Sequence, residues 1–162
     1  MRAEIYEIES CPKGRLAVMP RPRGGIWLET ELKSLKAQGV TDLVSLLTPA
    51  EERELDLSLE STQCDELRLR FYRYPIADRR IPTQPDFVPF IDSLATTLTQ
   101  GDFVAVHCRA GIGRSSVVAA ALLCRLGVSA SDALDMISAA RGFDVPDTDE
   151  QEDFILSFDQ TS

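Results

Sequence analysis

Cysteine, histidine and long apolar runs are scarce in this sequence, and each shortage closes off a class of function. The four cysteines, Cys11, Cys64, Cys108 and Cys124, are too few and too far apart for a disulfide scaffold, and no C-x-x-C pair suggests zinc. His107 is the only histidine, which excludes a Cys–His protease dyad and any multi-histidine metal site. No metal and no cofactor are expected. The longest uninterrupted apolar stretch, Val117 to Cys124, falls far short of the roughly 20 residues of a membrane span, and the N-terminus lacks a signal-peptide pattern. A cytoplasmic protein with free thiols and no membrane partner is the expectation. Basic residues are outnumbered, 17 Lys and Arg against 26 Asp and Glu for a net charge of −9, which disfavours nucleic acid as a partner.

With 162 residues, 44% of them hydrophobic, the chain has the size and apolar content of one domain with its own core, residues 1–162, and a monomer is expected. Its charge is uneven. Residues 143 to 162 carry seven acids and no Lys or Arg, whereas Arg68, Arg70, Arg73, Arg79 and Arg80 face the single acid Asp78 between 68 and 80, so an anionic ligand would meet local basic groups. Solvated faces explain most of these arginines as well.

Periodicity predicts strands over 4–8 and 15–19, a turn at Gly24-Gly25, and a helix with Leu28, Leu32 and Leu35 on one face. A strand over 40–47 ends at Thr48-Pro49-Ala50-Glu51, which combines a capping box with proline at the first helical position. Residues 58 to 67 read as a helix, followed by a strand in which Leu67, Leu69 and Phe71 alternate with Arg68, Arg70 and Tyr72. After an irregular loop over 76–82, Phe87, Ile91, Leu94 and Leu98 mark a helix that Gly101 terminates. Residues 103 to 107 form a short apolar run typical of a buried central strand. Helices are predicted over 115–126, 131–141 and 149–158, the last opened by a capping box at Thr148 and Gln151. Strands alternating with helices imply an α/β fold, a central and mostly parallel sheet with helices on both faces.

The chemistry concentrates where the strand ending at His107 runs into Cys108-Arg109-Ala110-Gly111-Ile112-Gly113-Arg114-Ser115 and then a helix. Successive N–H groups of residues 109 to 113 can point at one centre, and the first helical turn adds unpaired N–H groups and the positive end of its dipole. Gly111 and Gly113 permit a backbone path and a close approach that a Cβ would forbid. The lysine and glycine spacing of a nucleotide-binding loop are absent. A cysteine at the rim of such a cradle has its thiolate stabilised by the same dipoles and by a nearby arginine. Arg114 can offer two parallel N–H donors to phosphate oxygens, which lysine cannot, and Ser115 can donate its hydroxyl to the sulfur.

The run His107-Cys108-x5-Arg114-Ser115 resembles the signature of the cysteine-dependent protein tyrosine phosphatases, particularly their compact dual-specificity branch, and the resemblance covers most of the chain. It implies a tyrosine-phosphatase-like fold and hydrolysis of phosphoric monoesters through a phosphocysteine on Cys108. The substrate would be a phosphorylated protein or peptide carrying phosphotyrosine, with phosphoserine and phosphothreonine open because no aromatic recognition loop is identifiable. By the same resemblance Asp78 is the general acid and later the base, and Gln151 matches a glutamine that positions water in some phosphatases. Two departures stand out: Ser116 occupies a position where relatives usually carry glycine or another small residue, and the aromatic tyrosine-recognition loop is not identifiable. Lipid-directed relatives tend to carry lysines in the phosphate-binding loop, and their absence here weighs against a phosphoinositide substrate.

Plainer readings compete at several of these positions. Cys11, Cys64 and Cys124 read as packing residues. Asp78 is also a residue type that favours turns near proline, and the capping box accounts for Gln151 as well as catalysis does. Arg79 and Arg80 read as exposed rim. As the strand neighbour of Cys108, His107 points to the opposite face and reads as a supporting residue. Functional alternatives are a phosphate-binding adaptor without turnover, a sulfurtransferase and an arsenate reductase. The joint presence of Cys108, Arg114 and Asp78 weighs against the first, and the lack of a need for Asp78 against the others.

Overall fold

The computed structural model describes residues 2–160. Five strands, β1 (Tyr6–Glu7), β2 (Arg15–Met19), β3 (Asp42–Ser45), β4 (Arg70–Arg73) and β5 (Phe103–His107), form one sheet in the order β1-β2-β5-β3-β4. Only β1 runs antiparallel to its neighbour; the three other pairings are parallel. The helices are α1 (Leu28–Ala37), α2 (Pro49–Glu54), α3 (Glu60–Glu66), α4 (Phe87–Thr99), α5 (Arg114–Arg125), α6 (Ala130–Arg141) and α7 (Asp149–Gln160), with a short 3-10 turn over Gly25–Trp27. Among the described residues no helix is long and apolar enough to cross a membrane.

Alternation along the central strand sorts the core into two layers. Val104 and Val106 of β5 join a cluster with Leu94 and Leu98 of α4, Val117 and Leu122 of α5, Ile137 of α6 and Ile155 of α7. Phe103 and Ala105 join the opposite cluster with Leu28, Leu32 and Leu35 of α1 and Cys64 of α3. Every residue of α5 from Arg114 to Cys124 is buried, as expected of a helix packed by a sheet on one side and by helices on the others. This is the predicted layered α/β architecture.

The differences from the sequence reading lie at strand ends. β4 starts at Arg70, not Leu67, because Leu67 caps α3 and Arg68 adopts a left-handed φ of 60°; the Leu69 N–H then bonds back to the Cys64 carbonyl. β1 and β3 are shorter than the strands predicted over 4–8 and 40–47. The chain beyond β4 nevertheless stays tied to β3, through Tyr74 N–H to the Ser45 carbonyl (2.8 Å) and Ile76 N–H to the Leu46 carbonyl (3.0 Å). Those bonds fix the departure of the loop carrying Asp78.

Candidate active site

Three parallel strands deliver their following loops to one edge of the sheet, where ligand sites of open α/β sheets lie. β5 leads into residues 108 to 113, β3 into α2 with Glu51, and β4 into the Asp78 loop. Together they border a shallow cavity of about 160 Å³ lined by Asp78, Arg79, Cys108, Arg109, Ala110, Ile112, Gly113, Arg114, Asp147 and Gln151. Among the described residues no aromatic side chain lines it.

The loop over 108–113 is shaped as an anion cradle. Among the described residues, no N–H of residues 109 to 113 donates to a backbone or side-chain acceptor, so five donors stay unused at the N-terminus of α5. Gly111 has φ of 73°, and a Cβ there would sit 2.5 Å from the Met19 backbone. A side chain on Gly113 would sit 2.8 Å from Gln151 Oε1. Glycine at both positions lets β2 and α7 close against the loop. Ser116, the departure from the family pattern, donates its hydroxyl to the Ile112 carbonyl. Arg109 turns outward to Glu54, 2.9 Å away.

Cys108 is 3% exposed, and Ser115 Oγ donates to its sulfur at 2.9 Å. Arg114 is fully buried and more heavily engaged than its sequence position implies. Nη1 donates to Glu51 Oε1 (2.7 Å) and to the Ile76 carbonyl (2.8 Å), and Nη2 donates to Glu51 Oε2 (2.9 Å) and to Asp78 Oδ1 (3.1 Å). Only Nε lacks an acceptor among the described residues. Asp78 therefore takes the Nη2 hydrogen that Glu51 leaves open.

Sequence reasoning missed Glu51 as a site residue. It recognised the capping box, which is present, with Thr48 N–H donating to Glu51 Oε1 at 3.0 Å. The same carboxylate fixes the Arg114 fork. Burial pushes the Glu51 pKa up, but the Arg114 bonds and the Thr48 N–H prevail and hold it at about 2. The signal that would have found it is chemical: an arginine predicted behind a buried loop needs a counter-ion, and Glu51 opens a helix at a parallel strand end.

Asp78 is exposed on a turn closed by Arg80 N–H to the Ala77 carbonyl, with Arg79 at φ of 65°. Two contacts moor that turn to α7 and the segment before it: Arg79 Nη1 to Asp147 at 2.8 Å, and Gln151 Nε2, in the first turn of α7, to the Arg80 carbonyl at 3.1 Å. Gln151 also completes its capping box, its Oε1 accepting from Thr148 N–H at 3.2 Å. The basic stretch over 68–80 is largely neutralised, with Arg70 paired to Asp42, Arg73 to Glu52 and Arg80 to Glu150. An anion at the cavity would meet loop dipoles and Arg114 more than a field of free arginines. The other nearby acids are committed elsewhere, Asp86 to the Tyr74 hydroxyl and Asp92 to Arg125.

His107 lies across the sheet from the cavity, fully buried. Its Nε2 is 2.7 Å from Glu60 Oε2 and its Nδ1 is 3.2 Å from the Cys108 carbonyl oxygen. Burial disfavours its charged form, yet the Glu60 carboxylate and the Cys108 carbonyl outweigh it and raise the pKa above the ordinary histidine value.

Comparison with known proteins agrees with this geometry. Residues 17–128 match the family model described as a polymorphic toxin system DSP-PTPase phosphatase. A protein of Invertebrate iridescent virus 6 named as a tyrosine phosphatase is 30% identical over 105 residues, 62% of this chain and 37% of its own length. Human cyclin-dependent kinase inhibitor 3 is 26% identical over 133 residues, covering 81% of this chain and 63% of that protein. The chain thus spans about two fifths to three fifths of these relatives. Among solved structures, a kinase associated phosphatase with its catalytic cysteine changed to serine superposes with a TM-score of 0.89 at 22% identity, covering 99% of this chain and 96% of that one. Tk-PTP in its active form gives 0.75 at 24% identity with 99% of both chains covered; at such identities the likeness speaks for the fold alone. With the family model matched from within β2 through the three other parallel strands, the cradle and α5, the chain belongs to the DSP-PTPase phosphatase family, within the compact dual-specificity branch of the cysteine-dependent tyrosine phosphatases.

Proposed function

We propose that the chain acts as one catalytic domain that hydrolyses phosphate monoesters on proteins, through a phosphocysteine on Cys108. The observation that carries this reading is the Cys108 sulfur, bonded by Ser115 at 2.9 Å, at the rim of a cradle whose N–H groups have no acceptor among the described residues. In the first step the sulfur attacks phosphorus, the P–O ester bond breaks, and Asp78 gives its proton to the departing oxygen. The N–H groups of residues 109 to 113 bind the equatorial oxygens together with Arg114 Nε and Nη2, Asp78 having left Nη2 for the leaving group. In the second step water attacks phosphorus, Asp78 takes its proton, and the P–S bond breaks. The Ser115 hydroxyl stabilises the sulfur that leaves. Gln151 holds the Asp78 loop against the cradle, and its remaining amide N–H is left for the attacking water.

The shallow cavity without an aromatic wall supports phosphoserine and phosphothreonine as substrates beside phosphotyrosine. The four cysteines, none in a disulfide among the described residues, suit a reducing compartment, and we place the protein in the cytoplasm as a monomer. The direct test assays the purified chain in parallel on an aryl phosphate, phosphotyrosyl and phosphoseryl peptides, thiosulfate and arsenate. Turnover of the phosphate esters alone is expected; turnover of thiosulfate or arsenate without the esters would replace this reading with a sulfurtransferase or a reductase.

The role of Asp78 has its own signature. General acid catalysis contributes on the order of 10²–10⁴-fold and matters most for basic leaving groups. Asp78→Asn is expected to lower kcat/KM by about 10² or more on an alkyl phosphate and much less on an ester of a very acidic phenol. A leaving-group series in which mutant and wild type run parallel would remove Asp78 from this role.

A further inference from the structure

Glu60 and His107 form a hydrogen-bonded pair with both side chains at 0% exposure, and nothing in the proposed chemical steps uses Glu60. A buried carboxylate is costly unless it is well partnered. Glu60 is poorly partnered: Oε2 meets His107, while Oε1 has no hydrogen-bond partner among the described residues. Its surroundings do not explain it either, since α3 turns this face, with Cys64 one turn further on, into an apolar cluster.

The chemistry of the imidazole orders the contacts. The Cys108 carbonyl can only accept, so the Nδ1 facing it at 3.2 Å carries a proton. Oε2 of Glu60 lies 2.7 Å from Nε2, where a carboxylate accepts a second ring proton. We propose that Glu60 is a positioning residue of the phosphate-binding loop: it holds His107 as an imidazolium, whose Nδ1–H pins and polarises the Cys108 carbonyl from behind the sheet. That carbonyl belongs to the same peptide unit as the Arg109 N–H, the first unused donor of the cradle. Hydrogen bonds in a chain polarise one another, so the charge on one face of the sheet strengthens a donor on the other. The raised pKa of His107, in which the Glu60 and Cys108 contacts outweigh burial, agrees with this. The other titratable groups facing the pair fit as well. Glu52 of α2 is held by Arg73 at 2.6 Å, and the Cys64 thiol of α3 is pushed up to about 12 by burial and by Glu60, which leaves it neutral.

The kinetic part of the inference rests on the phosphatase reading; its spectroscopic part does not. Because His107 is the only histidine, imidazole ¹⁵N chemical shifts of the intact protein report on it alone. Both ring nitrogens are expected to be protonated at neutral pH. In Glu60→Gln the amide N–H₂ can donate to Nε2 and keep the geometry, leaving a neutral ring. Its kcat/KM on an aryl phosphate should fall by about tenfold, the difference between a charge-assisted and a neutral hydrogen bond, with inhibition by inorganic phosphate weakened in parallel and an altered pH profile. A neutral tautomer in the wild type at neutral pH, or a well-folded Glu60→Gln whose pH profile overlays the wild type, would overturn the assignment. Should Glu60→Gln fail to fold, the wild-type spectrum still decides. Turnover that survives Cys108→Ser, beside a doubly protonated ring, would instead remove the phosphatase reading and leave this pair standing.

Discussion

Cys108→Ser is expected to lower kcat/KM on an aryl phosphate by at least about 10⁴-fold, since loss of a covalent nucleophile removes the step that splits the reaction in two. Serine is nearly isosteric, and the N–H groups of residues 109 to 113 and the Arg114 fork do not depend on the sulfur. The Ser115 hydroxyl, now 2.9 Å from sulfur, can bond an oxygen in its place. Affinity for inorganic phosphate or a phosphopeptide should therefore stay within a few-fold of wild type, measured by calorimetry. Loss of binding together with turnover would mean that the thiolate holds the cradle open. Substantial turnover in the serine variant would end the phosphocysteine mechanism altogether.

Replacing Arg114 by lysine is expected to cost about 10³-fold or more in kcat/KM, the scale of losing an oriented donor to transition-state charge. The buried fork bonds both oxygens of Glu51, the Ile76 carbonyl and Asp78, with a longer fifth contact to the Leu46 carbonyl. A single ammonium group cannot span Glu51 and also offer parallel donors to phosphate. The substitution should also lower Tm, with a characteristic pH dependence. The Glu51 pKa is depressed from 4.5 to about 2 in the folded protein, so its contribution to stability is present above the ordinary carboxylate value and is lost as pH falls through about 2. The Tm gap between wild type and Arg114→Lys should be widest near neutral pH and should close toward pH 2. A gap independent of pH would mean that Glu51 is not held down by this arginine, and kinetics within a few-fold of wild type would refute the bidentate role.

Much of this site was legible in the chain because its core is local. Residues 107 to 115 are contiguous, and strand, glycine-containing loop and helix follow from short-range periodicity and from glycine's conformational freedom. The alternation of β5 likewise predicts that Cys108 and His107 lie on opposite faces, and the layered α/β order follows from strands alternating with helices. What the linear pattern does not carry is which distant groups meet. Glu51 reads in the chain as half of a capping box; only the parallel pairing of β3 with β5 brings α2 beside Arg114 and makes that carboxylate its counter-ion. Glu60 is one acid in a short polar helix until α3 packs under the sheet against His107. The arginines over 68–80 read as a basic patch, but folding brings Asp42, Glu52, Asp147 and Glu150 to them from other elements and cancels most of the charge. Electrostatic pairing depends on distance in space, and a net-charge count along the chain has no access to it. The sequence by itself therefore determined the cradle, its thiol and its layered scaffold, whereas the carboxylates that orient Arg114 and His107 were decided by the tertiary structure, through contacts across 63 and 47 residues of chain.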